Sequence, residues 1–214
     1  LTREQIAEAV TRIAAAGSFS IRLYFLIGLP TETREDITGI VDLAKMIRHH
    51  MVRASAPRGT VGRIRLSLNC FVPKPFTPFQ WFPLERMDIL KEKLKRIRNG
   101  LAREGGIRVS SDLPKWAYVQ ALLSMGDRRV GRILLKAHRL GGRWFEAFRF
   151  SDVNPDFFVY RPRALDERLP WDFIDHGILK EHLADEYRLA LEAVESEVCR
   201  VGKCRRCGVC RTEG

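Results

Sequence analysis

The sequence predicts an α/β protein built on a parallel sheet, continued by a mainly helical extension and closed by a cysteine-rich tail. Three observations carry this. Up to residue 111, segments with helical spacing alternate with short β-like runs, the order that argues for parallel strands joined by crossover helices. The strand candidates contain unbroken apolar runs, as expected of strands covered on both faces. Four of the five cysteines fall within the last sixteen residues, where they read as metal ligands.

Each element has a local cause. Thr2 and Gln5 fit a capping box for a helix on Ile6, Val10, Ile13 and Ala14, ended by Gly17. A strand follows from Ile21 to Gly28. Thr33 can cap a second helix, Arg34 to about His50, with Ile37, Ile40, Val41, Ala44 and Ile47 on one face. A glycine- and arginine-containing loop, Arg53 to Gly62, leads to a strand from Ile64 to Val72. The run Pro73 to Trp81 holds three prolines in its first six residues, which forbids helix and central strand. A third helix spans Pro83 to Ala102 on Leu90, Leu94, Ile97 and Leu101, and Ile107 to Ser110 makes a short strand. Beyond Asp112 come helices at Lys115 to Met125 and Arg128 to Leu140, an irregular aromatic segment from Trp144 to Tyr160, and a last helix from Ile178 to about Glu197. The sequence shows no internal repeat and no low-complexity linker.

The 214 residues are 45% hydrophobic and 29% charged, enough for one large domain or a domain with an appendage. The net charge of +11 favours polyanions, including nucleic acid and phosphorylated cofactors, although no RNA-binding signature accompanies it. No run approaches the roughly 18 apolar residues of a membrane span, and none of the 214 residues reads as a signal peptide, which an upstream segment could still carry. A cytoplasmic protein without a membrane partner is therefore expected. The chain opens on Leu1 rather than Met, which reads as a segment of a longer polypeptide.

In parallel α/β folds, ligands sit beyond the carboxyl ends of the strands. Gly28 stands at such an end, where a glycine lets a ligand approach the backbone. Pro30 fixes the turn and Thr33 starts the next helix. The rigid run from Cys70 to Phe79 stands at an equivalent end, and two special strand ends in succession suggest one shared cleft.

On these residues the chain resembles the C-terminal half of the radical S-adenosylmethionine (SAM) barrel, a partial (β/α)6 TIM-like fold. Within that family it is most similar to cobalamin-associated radical SAM proteins of unassigned function. The resemblance rests on Gly28 to Thr33, Pro73 to Trp81, Leu113 to Trp116, Gly126 to Arg129, Leu169 to Asp172 and the cysteine-rich end. It implies a barrel portion over residues 1–111, a mainly helical extension over 112–198 and a four-cysteine, metal-binding tail over 199–214. It also implies that an iron–sulfur cluster holds SAM and cleaves it reductively to a 5′-deoxyadenosyl radical. Leu26 and Gly28 would lie against the adenine, and Pro30 would shape the cofactor-binding turn. Glu32 would fix the following loop and helix, and the backbone near Phe71 and Val72 would reach the adenine edge. Tyr24 stands where many relatives carry the first glycine of the fifth-strand motif. The family's Cys-x3-Cys-x2-Cys loop is absent from the 214 residues. It would lie upstream, with the amino-group site and any cobalamin domain, so the segment alone would be inactive. The implied partners are the N-terminal remainder of the polypeptide and a reductant protein. The substrate is open, nucleic acid included, and no catalytic residue is named.

The tail Cys199, Cys204, Cys207 and Cys210 has the spacing Cys-x4-Cys-x2-Cys-x2-Cys. Four thiolates in twelve residues can surround one centre, with Gly202 and Gly208 permitting tight turns. Lys203, Arg205, Arg206 and Arg211 would lower the thiol pKa values. A second [4Fe-4S] cluster and zinc both fit this donor set. Elsewhere, Cys70 reads as a buried structural thiol, His49 and His50 as a solvated helix end, Asp172, Asp175 and His176 as caps and surface hydrogen-bonding groups ahead of a catalytic role, and Asp127 to Arg129 as a salt-bridged corner ahead of a substrate-anion contact. Two functions follow: a radical SAM enzyme segment completing the SAM and substrate cleft, or a non-catalytic, metal-tailed module that binds RNA through its charge.

Overall fold

The computed structural model describes residues 2–210; Leu1 and the final four residues, Arg211 among them, lie outside the described residues. The chain divides into two compact units. One runs up to Phe71 and resumes at Glu85–Pro114; the other comprises Val72–Leu84 and the chain from Lys115 onward.

The first unit is α/β. Its elements are α1 (Arg3–Ala16), β1 (Ser20–Ile27), α2 (Arg34–Ser55), β2 (Arg63–Cys70), α3 (Met87–Leu101) and β3 (Ile107–Ser111). The three strands are parallel in the order β1-β2-β3. Thr2 and Gln5 form the expected capping box on α1, and Thr33 pairs with Asp36 in the same reciprocal way on α2. The second helix runs past His50 because Met51 and Ser55 continue its buried stripe. The third starts at Met87 rather than Pro83.

The expectation of strands covered on both faces is not met. Along β2, Ile64, Leu66, Leu68 and Cys70 are buried, whereas Arg63, Arg65 and Asn69 are exposed. Within the apolar run of β1, Tyr24 is 68% and Leu26 50% exposed. One face carries the core with the stripes of α2 and α3; the other is open. The strands also hold a repeat that the sequence reading lacked. Ile21-Arg22-Leu23, Ile64-Arg65-Leu66 and Ile107-Arg108-Val109 occupy matching register positions. The offset is 43 residues, as at the Ser67–Ser110 contact.

The second unit is helical among the described residues: α4 (Pro114–Met125), α5 (Val130–Arg139), α6 (Trp144–Arg149), α7 (Asp156–Val159) and α8 (Lys180–Leu191). The aromatic segment expected to be irregular contains two short helices. Helix α8 stops six residues before Glu197, and Ala193 there takes a left-handed φ of 54°. Carboxylates at Glu192, Glu195 and Glu197 would face the negative end of an extended helix. Trp81, Met125, Leu169, Trp171, Leu183 and Ala184 form a core cluster. No helix among the described residues is long and apolar enough to cross a membrane.

Candidate functional site

The carboxyl ends of β1 and β2 are neighbours. Ile27 pairs with Cys70, and the Phe71 N–H donates to the Ile27 carbonyl at 2.8 Å, carrying the ladder one residue past β2. That bond commits the Phe71 N–H to the sheet.

The turn after β1 is held from within. Gly28 has φ 81°, and its N–H donates to both oxygens of Glu32 at 3.1 and 3.0 Å. Glu32 also accepts from Lys93 Nζ at 2.5 Å, and the same ammonium reaches Glu85 at 2.7 Å. The Glu32 side chain is only 6% exposed, whereas Lys93 and Glu85 are partly buried at 15% and 23%, so three charges share a shielded corner. Burial pulls the Lys93 pKa down, but hydrogen bonds and charges from Glu32 and Glu85 outweigh it and raise the pKa above the ordinary value. Pro30 is buried, and Thr31 takes a strained left-handed φ of 63°. A Cβ on Gly28 would meet Leu90 Cδ2 at 2.8 Å. The space where a side chain would stand on this glycine is thus already filled by Leu90 and Glu85. The surface left open is that of Leu26, on the exposed face opposite Asn69. Burial, followed by the charges of Asp112 and Glu85, pushes the Cys70 thiol up to about 11, which fits a structural thiol.

Val72 opens the proline-rich run of the second unit. There Gln80 is buried, and its Oε1 accepts from the Phe76 N–H at 3.2 Å and from Trp171 Nε1 at 2.7 Å. Phe76 takes a left-handed φ of 60°. Asp172 accepts from the Leu169 N–H and pairs with Lys180 at 2.5 Å; Asp175 caps Gly177; His176 lies against Phe76 with ring centroids 4.1 Å apart. Asp127 binds Arg129 through its backbone and guanidinium. His50 meets Thr11 Oγ1 at 3.3 Å.

In the tail, Gly202 and Gly208 take φ values of 79° and 86°, as tight turns require. The Gly202 N–H points at Cys210 Sγ at 3.4 Å, and the Cys207 carbonyl accepts from the Leu179 N–H at 2.9 Å. Hydrogen bonds from the Arg206 backbone and guanidinium lower the Cys204 pKa. Among the described residues, no three His, Cys, Asp or Glu side chains are gathered closely enough to hold a metal ion. Donor chemistry and turns suit a soft metal, but the four thiols are not drawn to one centre.

Sequence reasoning missed the arginine row Arg22, Arg65 and Arg108, all exposed on the open face. The recurring Ile-Arg-Leu/Val triplet was its available signal. It also missed Lys93 and Glu85, which lie too far from Glu32 in sequence for any local motif to connect them.

No family model matches the chain. An uncharacterized protein of Methanocaldococcus jannaschii is 30% identical over 135 residues, covering 63% of this chain and 27% of that protein. The chain therefore matches only about a quarter of that relative's length. No solved structure matches.

Proposed function

We propose that the chain is the C-terminal part of a radical SAM iron–sulfur enzyme, its three strands forming consecutive units of a partial TIM-like barrel. The observation that carries this reading is the adjacency of the two strand ends: Gly28 and Phe71 follow paired residues of neighbouring parallel strands. In parallel α/β folds, the crevice beyond such ends is where ligands bind. The open face supports it too, because a barrel strand presents one face to helices and the other to the interior. On this reading, exposed Leu26 offers apolar surface to the adenine. Glu32 and Lys93 keep the corner rigid rather than contacting the cofactor. Cys199, Cys204, Cys207 and Cys210 would hold a second [4Fe-4S] cluster or zinc, supplying electron transfer or a structural clamp. The radical cluster, any cobalamin, a reductant protein and the substrate fall to residues and partners beyond these 214. A cytoplasmic location follows from the oxygen-sensitive, reduced thiol chemistry.

The test is a nuclear magnetic resonance titration of the chain with SAM, alongside anaerobic reconstitution with iron and sulfide. SAM should shift resonances at Leu26 and around Phe71, and reconstitution should give a brown protein absorbing near 400 nm that loses its colour in the Cys207→Ala variant. Absence of SAM shifts at those residues overturns the SAM site. A colourless protein with one stoichiometric zinc assigns the tail to zinc. Salt-sensitive RNA binding without SAM shifts supports the alternative, a basic metal-tailed module.

A further inference from the structure

The open face of the first unit's sheet carries three guanidinium groups side by side. Arg22 pairs in register with Arg65, and Arg65 with Arg108. Neighbouring strands lie about 4.8 Å apart, so the outer two arginines stand about 9.6 Å from each other with Arg65 between them. All three are exposed, and none has an acidic partner among the described residues. Like charges on adjacent strands oppose sheet formation. A row of three therefore costs stability unless something neutralises it. A hollow of about 330 Å³ lies over the row, lined by Arg22, Arg65, Ser67, Arg108, Val109 and Ser110 with no carboxylate among them. By contrast, the ammonium in the 360 Å³ hollow of the second unit, Lys180, is already paired with Asp172.

We propose that Arg22, Arg65 and Arg108 form an oxyanion clamp for a phosphoryl group of a small phosphorylated ligand. Planar guanidinium forks match phosphate oxygens two at a time, and three forks in one row can surround a mono- or diphosphate from both sides. The hollow is the size of a small-molecule site. A single-stranded nucleic acid would call for a long basic groove with several stacking aromatics, whereas Tyr24 is the one aromatic on this face of the strands. Tyr24 already lies beside Arg22, its hydroxyl accepting from the guanidinium at 3.3 Å. The clamp is distinguishable from the radical SAM reading: its row stands four residues before Leu26 on β1, and its readout is pyrophosphate binding lost in Arg65→Gln rather than SAM shifts at Leu26 and Phe71.

Calorimetric titration of the chain with inorganic pyrophosphate at low ionic strength tests it. Saturable one-to-one binding is expected. Arg65→Gln should weaken it at least tenfold and Arg65→Lys several-fold, since lysine keeps the charge but loses the fork. Arg12→Gln, on the exposed surface of α1, should leave it unchanged. Thermal unfolding provides a readout that a folding defect would not mimic: without anion, Arg65→Gln should melt higher than wild type, and pyrophosphate should raise the wild-type Tm but not that of the variant. The proposal is overturned by absence of saturable binding in the millimolar range, or by equal losses in Arg12→Gln and Arg65→Gln. An RNA oligonucleotide that binds through the same three arginines a hundredfold more tightly than pyrophosphate also overturns it.

Discussion

The turns that follow β1 and β2 are fastened by the same device, once with charge and once without. After β1, Glu32 reaches back four residues to the N–H of left-handed Gly28 and is locked by Lys93. After β2, Gln80 reaches back four residues to the N–H of left-handed Phe76 and is locked by the Trp171 indole. One latch is ionic and the other neutral. In both turns a left-handed residue is held by a side-chain acceptor four residues on, and the charge of that acceptor decides how the turn answers to pH and salt.

The ionic latch depends most on Glu32. Glu32→Ala leaves the Gly28 N–H unpaired and strips Lys93 of its more buried partner. Loss of about 3 kcal/mol is expected, with Glu85 retaining part of the pair. Glu32→Gln keeps an acceptor for Gly28 but removes the charge, so it should lose distinctly less; urea unfolding of the two variants measures the difference. If both variants lose equally, the Gly28 hydrogen bond contributes nothing. The ionic latch also predicts a pH response. The Lys93 pKa is raised in the folded protein. Its stabilisation is therefore complete below the ordinary lysine value of 10.5 and is lost as pH rises through the higher folded value. Wild type should lose more stability than Lys93→Met over that interval, and equal slopes would show that the pair is not coupled to folding.

At the neutral latch, Gln80→Leu fills similar space but strands two donors, the Phe76 N–H and the Trp171 Nε1–H. A loss of about 2 kcal/mol follows from two buried groups left without partners. The loss should be the same at neutral and alkaline pH; a pH dependence like that at Glu32 would end the contrast between the corners.

Much of the first unit was legible because its causes are local. Thr2, Thr33 and the stripes of α2 and α3 announce themselves within a few residues. The corner at Gly28 was legible as a turn, but its fastening was not, since Lys93 lies 61 residues from Glu32. Likewise Trp171 lies 91 residues from Gln80, so the proline-rich run gave no sign of the core it joins. Tyr24 and Leu26 misled for another reason. Apolar side chains on an open face produce the same unbroken run as a doubly covered strand, and a one-dimensional pattern cannot tell which face lacks a cover. The arginine row was readable in principle, because the triplet recurs at a constant offset, yet three residues in every 43 are too sparse to stand out from a basic chain.

The smallest expected effect is also the sharpest check on the neutral latch. Trp81 and Trp171 share one core cluster and are both buried. Their indole N–H groups differ: that of Trp171 donates to Gln80, whereas that of Trp81 has no hydrogen-bond partner among the described residues. Replacing either by Phe removes similar apolar volume. Trp171→Phe, however, also removes one of the two donors that hold the Gln80 amide. It should cost about 1 kcal/mol more than Trp81→Phe, since a net hydrogen bond is worth about that much. In the Gln80→Leu background the extra cost should vanish, because the acceptor is already gone. Denaturant midpoints of the two single and two double variants decide it. A difference that persists without Gln80 would mean that the tryptophans differ in packing alone, and that the corner after β2 is not fastened by the amide.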